Sequence, residues 1–350
     1  MVAIPGRLSE WCEALMVRLL GATGAAPAHI LANGLGDLGR EILAADRLRA
    51  LVVARQPELP LCRSLIATGR PLLVVLDEPA RAVRMLMTDN GLAYAEATRF
   101  VANCLASFVP LLGARNALVL RAAADLSEFA TARRIADHFE FGVDDETLRG
   151  LARDATRAAD AWSALRIDEL GEFEASRTAP PPAAMFEDVP LIGGRGLAAH
   201  EAVLGPVWKH LNGAAPSETI WPPSLFYVGD APSRPATEPV DVTGVSRCLI
   251  FGPYIRLPEG AWSCSVVLAS TPGAVGMRMV AEVIAGVSLN RVDFEVAEAG
   301  IFEVEISFVH ANPDLPIEVR LFNAEAAFEG EIAIGQVRMT PLAARRLAVA

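Results

Sequence analysis

The hydrophobic grammar of the chain changes once, near Asp241, and that change limits the fold more than any other feature. Downstream of it come short runs: "CLIFGPYIRL", "WSCSVVLAS", "GMRMVAEVIA", "VDFEVA", "IFEVEISFVH", "IEVRLFN" and "IAIGQVRMTPL". Each is rich in β-branched and aromatic residues, and turn signals such as Pro258-Glu259-Gly260 separate them. In "FEVEISF" apolar and polar residues alternate strictly, the period of a strand with one face buried. Seven or eight such runs in little more than a hundred residues predict an antiparallel β-sandwich of jelly-roll type over 241–350.

Upstream the period is different. "LSEWCEALMVRLL" (8–20) places apolar residues at helical spacing. Four apolar runs then alternate with helical stretches: "AHILA" (28–32), "ALVVA" (50–54), "PLLVVLD" (71–77) and "NALVLRA" (116–122). Strands separated by helices predict an α/β domain with a parallel sheet covered on both faces, here over 1–174. The amphipathic pattern from Ala80 to Leu112 is broken at Asn90-Gly91, which predicts two helices. Between the domains, 175–240 carries "APPPAA", "IGGRG", "WPPS" and "APSRPATEP", a proline- and glycine-rich composition that reads as loop or linker. Its aromatic residues Trp208, Trp221, Phe226 and Tyr227 imply that it packs on the domains.

Composition removes several function classes. Hydrophobic residues make up 52% and charged residues 21% of the 350, enough for sizeable cores. Net charge is −11, with no basic run interleaved with aromatics, which argues against nucleic acid as a partner. The five cysteines show no metal-like spacing, so they read as small core residues in a reducing compartment, and no metal site is expected. No membrane span and no leader pattern is apparent, and the expected location is cytoplasmic.

One stretch carries a candidate for chemistry. In "AHILANGLGDLGREILAAD" (28–46) a strand runs into Gly34-Leu-Gly36-Asp-Leu-Gly39 and then a helix. GxGxxG in that setting is the dinucleotide fingerprint, in which glycines let a pyrophosphate approach the backbone. The acidic residue that should close the second strand is replaced by Arg55, with Glu58 further on, so an NAD(P)-dependent enzyme rests on the glycines alone. A Walker A loop does not fit, since no Lys-Ser/Thr follows the last glycine.

From Ala28 to Ala155 the order of elements resembles the sulfotransferase family. "PLLVVLDEPARAVRML" (71–86) stands for its strand–Arg–Asp–Pro–helix element, with Pro79 in place, and "NALVLRAAADLSEFATARRIADHF" for its fourth strand, Asp125-Leu126 turn and following helix. The resemblance implies a sulfonate-donor nucleotide held near Gly34, Gly36, Asp37, Gly39, Arg40 and Asp77. The basic and hydroxyl side chains of that family's phosphate loop are here Asp37, Leu38, Arg40 and Glu41, and its second-motif arginine and serine are Asp77 and Met85. Like charges about 4 Å apart cost on the order of 4 kcal/mol at an effective dielectric near 20. The loop thus reads as a degenerate one. Two alternatives stay open for the acids: Asp37, Glu41, Asp77 and Glu78, on adjacent strands, hold magnesium for an unusual nucleotide donor, or Asp37 and Asp77 cap helix N-termini.

In the C-terminal module, "GVSRCLIFGPYIRLPEGAWSCSVVL" (244–268) and "AGIFEVEISF" (299–308) resemble β-sandwich carbohydrate-binding modules. That resemblance implies sugar stacking on exposed aromatics, for which Tyr254, Arg256, Trp262 and Arg278 are the available group; against it, Tyr254 and Trp262 read as core or edge residues of the sandwich. The histidines, among them His138, His200, His210 and His310, form no catalytic spacing, and no GxSxG occurs. His200-Glu201 lie in a long loop. The functional expectation is a catalytically degenerate sulfotransferase-like protein of surface-polysaccharide metabolism, a scaffold binding a glycan or a protein partner without a cofactor. The alternative is a transferase using a nucleotide with magnesium.

Overall fold

The computed structural model describes the backbone of 1–24, 27–44, 50–122, 127–174 and 196–342, and the side chains of these except 43, 44 and 160–200. The Asp125-Leu126 turn, the stretch 175–195 and the side chain of His200 lie outside the described residues. The chain divides into two compact units, one of 1–97 and 107–179, the other of 98–106 and 180–350.

The first unit begins with a strand too short to show a period, β1 (Val2–Ala3), followed by α1 (Arg7–Ala22). Then come β2 (Ala28–Leu31), α2 (Leu35–Ala44), β3 (Ala50–Val53), α3 (Leu59–Ala67), β4 (Leu72–Leu76) and α4 (Pro79–Asn90). Pro79 at the start of α4 and Gly91 at φ 64° just past its end set its limits, the break expected at Asn90-Gly91. After α5 (Tyr94–Phe108) follow β5 (Ala117–Arg121), α6 (Glu128–His138) and α7 (Asp145–Glu174).

All pairings here are parallel: β1 with β4, β4 with β5, β2 with β3. Val2 bridges Ala54, just past β3, so the spatial order is β2-β3-β1-β4-β5. β4 is buried along its whole length, as a strand with layers on both sides must be. Leu73, Val75 and Leu120 pack with Cys12, Leu15 and Leu19 of α1, Ile135 of α6 and Leu148 of α7 in one core.

The second unit opens with α8 (Gly196–Leu211) and four short strands, β6 (Thr219–Trp221), β7 (Tyr227–Val228), β8 (Ala231–Pro235) and β9 (Val240–Asp241). The loop reading of 175–240 is therefore corrected over 196–241, where a helix and four strands occur. Seven long strands follow: β10 (Arg247–Ile255), β11 (Gly260–Ser270), β12 (Arg278–Ala285), β13 (Val287–Glu295), β14 (Gly300–His310), β15 (Ile317–Asn323) and β16 (Glu331–Pro341). They form antiparallel sheets ordered β13-β12-β15-β10-β7-β8 and β14-β11-β16-β6, with β9 also on β16. Strand parity fills the space between them. Val304, Ile306 and Phe308 of β14 and Trp262, Cys264, Val266 and Leu268 of β11 are buried, and so are Met279, Ala281, Val319 and Leu321 across from them.

Candidate functional site

The outward face of the six-stranded sheet is built by register. Phe251 of β10 stands opposite Tyr227 of β7 on one side and Arg320 of β15 on the other. Arg320 is in turn opposite Glu282 of β12, and Glu282 opposite Arg291 of β13. Directly opposite residues share a face, so this row places two aromatic rings next to alternating charges. In the neighbouring row Pro253 faces Glu318, and Tyr254 is the extra residue of a bulge, since Ile255 already pairs with Ile317. Its φ of 64° is the left-handed value that normally selects glycine.

The polar groups on this face are held in place. Glu318, 7% exposed, accepts two parallel hydrogen bonds from Arg320, from Nε and Nη2, both at 2.8 Å. It also accepts one from the Tyr254 hydroxyl at 3.0 Å. Burial, and then the donation to Glu318, push the Tyr254 phenol up to about 12. Its ring lies 6.2 Å from Phe251, which lies 5.7 Å from Tyr227. The Cys248 thiol, on the same face, is pushed up to about 11 by burial.

The four residues nominated from the sequence for this module separate. Tyr254 belongs to the face. Trp262 does not: it is 2% exposed, its Nε1 donates to the Pro258 carbonyl at 3.1 Å, and it is core of the other sheet. Arg278 stands at the other end of β12, ion-paired to Glu325 at 2.7 Å. Its neighbour Met279 pairs with Asn323 whereas Pro253 pairs with Glu318, five residues along β15, so Arg278 and Tyr254 are about 17 Å apart along the strand. Arg256 donates its backbone N–H to Asn103 at 2.8 Å, and its Nη1 is buried. Phe251, Glu282, Glu318 and Arg320 were missed in the sequence, where no spacing joins them.

In the first unit the glycine run is not an open cradle. α2 starts at Leu35, which puts Gly36 and Gly39 inside a helix, and only Gly34 precedes it. A Cβ on Gly34 would lie 2.7 Å from the Glu58 carboxylate, whereas at Gly36 and Gly39 there is open space. The Asn33 side chain accepts from the backbone of Arg55 and Gln56 at 3.0 and 2.9 Å, tying this turn to the one after β3. Arg40 pairs with Asp37 one turn earlier, and Arg55 pairs with Glu13 at 3.0 Å.

Asp77 lies elsewhere. β2 and β4 are separated by β3 and β1, which corrects the expectation that Asp37 and Asp77 sit on adjacent strands. Asp77, 4% exposed, accepts from Leu8 N at 3.4 Å, Ser9 N at 3.1 Å and Ser9 Oγ at 3.0 Å. It thereby caps α1, a helix remote in sequence, rather than the helix that follows it. Burial raises its carboxyl above the ordinary range, against the pull of these bonds and of Arg55. Nearby a cavity of about 240 Å³ is lined by Arg7, Leu8, Trp11, Glu128, Thr131 and Thr156. Among the described residues no three His, Cys, Asp or Glu side chains converge as a metal site, and no helix is long and apolar enough to cross a membrane.

No protein-family model matches the chain, and no curated protein matches it. Solved structures similar to it include the module TmCBM61 in complex with β-1,4-galactotriose: 14% identity, 36% of this chain and 83% of the module, TM-score 0.24. A second is the CBM36-1 domain of a multidomain xylanase from the hindgut metagenome of Trinervitermes trinervoides: 11% identity, 36% and 98% covered, TM-score 0.25. A third is a carbohydrate-binding module from Cellvibrio mixtus lichenase 5A in complex with cellotriose: 12% identity, 29% and 73% covered, TM-score 0.20.

Proposed function

We propose that the sandwich unit binds a neutral glycan through the outward face of its six-stranded sheet, on the strength of its own side chains rather than of those likenesses. One arrangement carries the reading: the Tyr254 phenol, fixed on Glu318 beside Arg320 and Phe251. Flat rings suit the apolar faces of sugars, and a carboxylate–guanidinium fork offers acceptors and donors to hydroxyls in a fixed plane. Arg320 spends Nε and Nη2 on Glu318 and keeps Nη1 for a ligand. Neutral sugars are favoured over acidic ones because Glu318 and Asp293 pair with Arg320 and Arg291, Glu282 adds a further carboxylate to the face, and the chain carries −11 overall. The first unit would then serve as scaffold.

Calorimetric titration of the full chain with neutral and acidic oligosaccharides tests this. Saturable binding of a neutral one that Tyr254→Ala abolishes is the expected result. No binding, or binding indifferent to Tyr254 and Phe251, would sink the reading. A second reading, a small-molecule site in the first unit, draws on the cavity between α1, α6 and α7. A thermal-shift panel of nucleotides, with and without magnesium, tests it; a shift removed by Trp11→Ala would favour it.

A further inference from the structure

The geometry points to Arg99 and Asn103 as positioning residues that hold Tyr254 in its left-handed conformation and so aim its side chain at Glu318. The inference rests on the glycan reading for its consequence, but its geometry stands apart from it. Both residues belong to α5, four apart and therefore on one face, in the 98–106 stretch that is part of the second unit. The Asn103 amide acts as a neighbouring strand would: Nδ2 donates to the Tyr254 carbonyl at 3.0 Å, and Oδ1 accepts the Arg256 N–H at 2.8 Å. It thereby satisfies the two backbone groups that flank Ile255. Arg99 spreads its fork over three acceptors: the Pro253 carbonyl from Nε, the Leu225 carbonyl from Nη2 at 3.2 Å, and the Tyr227 hydroxyl from Nη1 at 2.9 Å. Its Cζ also sits 5.0 Å from the centre of the Tyr227 ring.

A bulky residue stays in the left-handed region only where its surroundings over-determine it. On the sheet side the Tyr254 hydroxyl is tied to Glu318 and its ring meets Phe251 edge-on; its backbone is held from the helix side by Asn103, and the residue before it by Arg99. With the helix contacts removed, Tyr254 relaxes toward the extended region and the phenol leaves Glu318. The Arg320–Glu318 fork lies within β15 and survives, so the face would lose its aromatic member and keep its charges.

Full-chain Asn103→Ala and Arg99→Lys, the second keeping the charge but not the fork, test the inference by two readouts. The first needs no ligand: the ultraviolet titration of the Tyr254 phenol, isolated as the difference from each variant carrying Tyr254→Phe. Its midpoint is expected to fall from about 12 toward that of a free phenol, about 10. The second is affinity for whatever neutral oligosaccharide the wild type binds, expected to weaken about tenfold or more in both variants. An unmoved Tyr254 midpoint in both variants overturns the inference. A moved midpoint in a protein that binds no oligosaccharide upholds the positioning role and removes the glycan reading. Should Asn103→Ala fail to fold, Arg99→Lys decides alone.

Discussion

Asp77 accepts two hydrogen bonds from Ser9, from N–H at 3.1 Å and from Oγ at 3.0 Å, across 68 residues of sequence. The pair fastens the turn after the central strand β1 to the end of β4. Asp77→Ala leaves the first-turn donors of α1 buried without an acceptor and is expected to cost about 1–3 kcal/mol in urea unfolding. The pH dependence has a definite sign. Because the folded carboxyl titrates above its ordinary 3.8, its contribution to stability is complete below that value and is lost as pH rises through the folded midpoint. Asp77→Asn should lack this slope, so the stability difference between it and wild type should shift toward the variant between acid and neutral pH. A constant difference would contradict the assignment.

Glycines at three places should respond differently to one methyl group. Gly36→Ala and Gly39→Ala add it in open space within α2 and should each raise stability by about 0.5–1 kcal/mol, because glycine is a poor helix former. Gly6→Ala places Cβ 2.2 Å from Cγ of Asp77 and should lower stability by about 1–3 kcal/mol. Chemical denaturation of the three variants reads all of this. Loss of stability at Gly36 would mean that α2 is wrongly placed.

Trp262 and Arg278 separate core from surface. Trp262→Ala should cost about 3–5 kcal/mol, the usual range for a buried aromatic. Arg278→Ala removes an exposed ion pair and should cost less than about 1 kcal/mol, with unchanged oligosaccharide affinity. Phe251→Ala is expected to do the reverse of Trp262→Ala, weakening affinity about tenfold or more at a modest change in melting temperature.

Cys248 offers a chemical check. With its thiol near 11, about one molecule in a thousand is thiolate at pH 8, so alkylation in the native state should be slow and should quicken steadily with pH. The other four cysteines are buried. A fast-reacting thiol at neutral pH would show that this face is more open than described.

Periodicity carried the sequence reading a long way. The runs at 28–32, 50–54, 71–77 and 116–122 are strands β2 to β5, and the seven runs after Asp241 lie on β10 to β16. β1 was out of reach: two residues hold no period, yet they occupy the centre of the parallel sheet and decide which loops share its edge. The glycine run thereby falls on the edge strand β2, and Asp77 beside a turn nobody would single out from "IPGR". α8 was hidden because its composition includes Pro206 and two glycines. The core reading of Trp262 was legible, since it shares parity with Cys264, Val266 and Leu268 and so must share their face. Glu318 and Arg320 could not, because only the register between β10 and β15 brings them to a tyrosine some 65 residues away.

β16 holds β6 and β9 on one side and β11 on the other, so β6, around residue 220, waits for a partner more than a hundred positions downstream. During synthesis the five-stranded sheet cannot close until β16 itself has left the ribosome. Until then β6 and β11 expose unpaired edges. Shortening the chain into β16 would remove the strand that the others are threaded around. Such a truncation should yield an insoluble product rather than a weakened one.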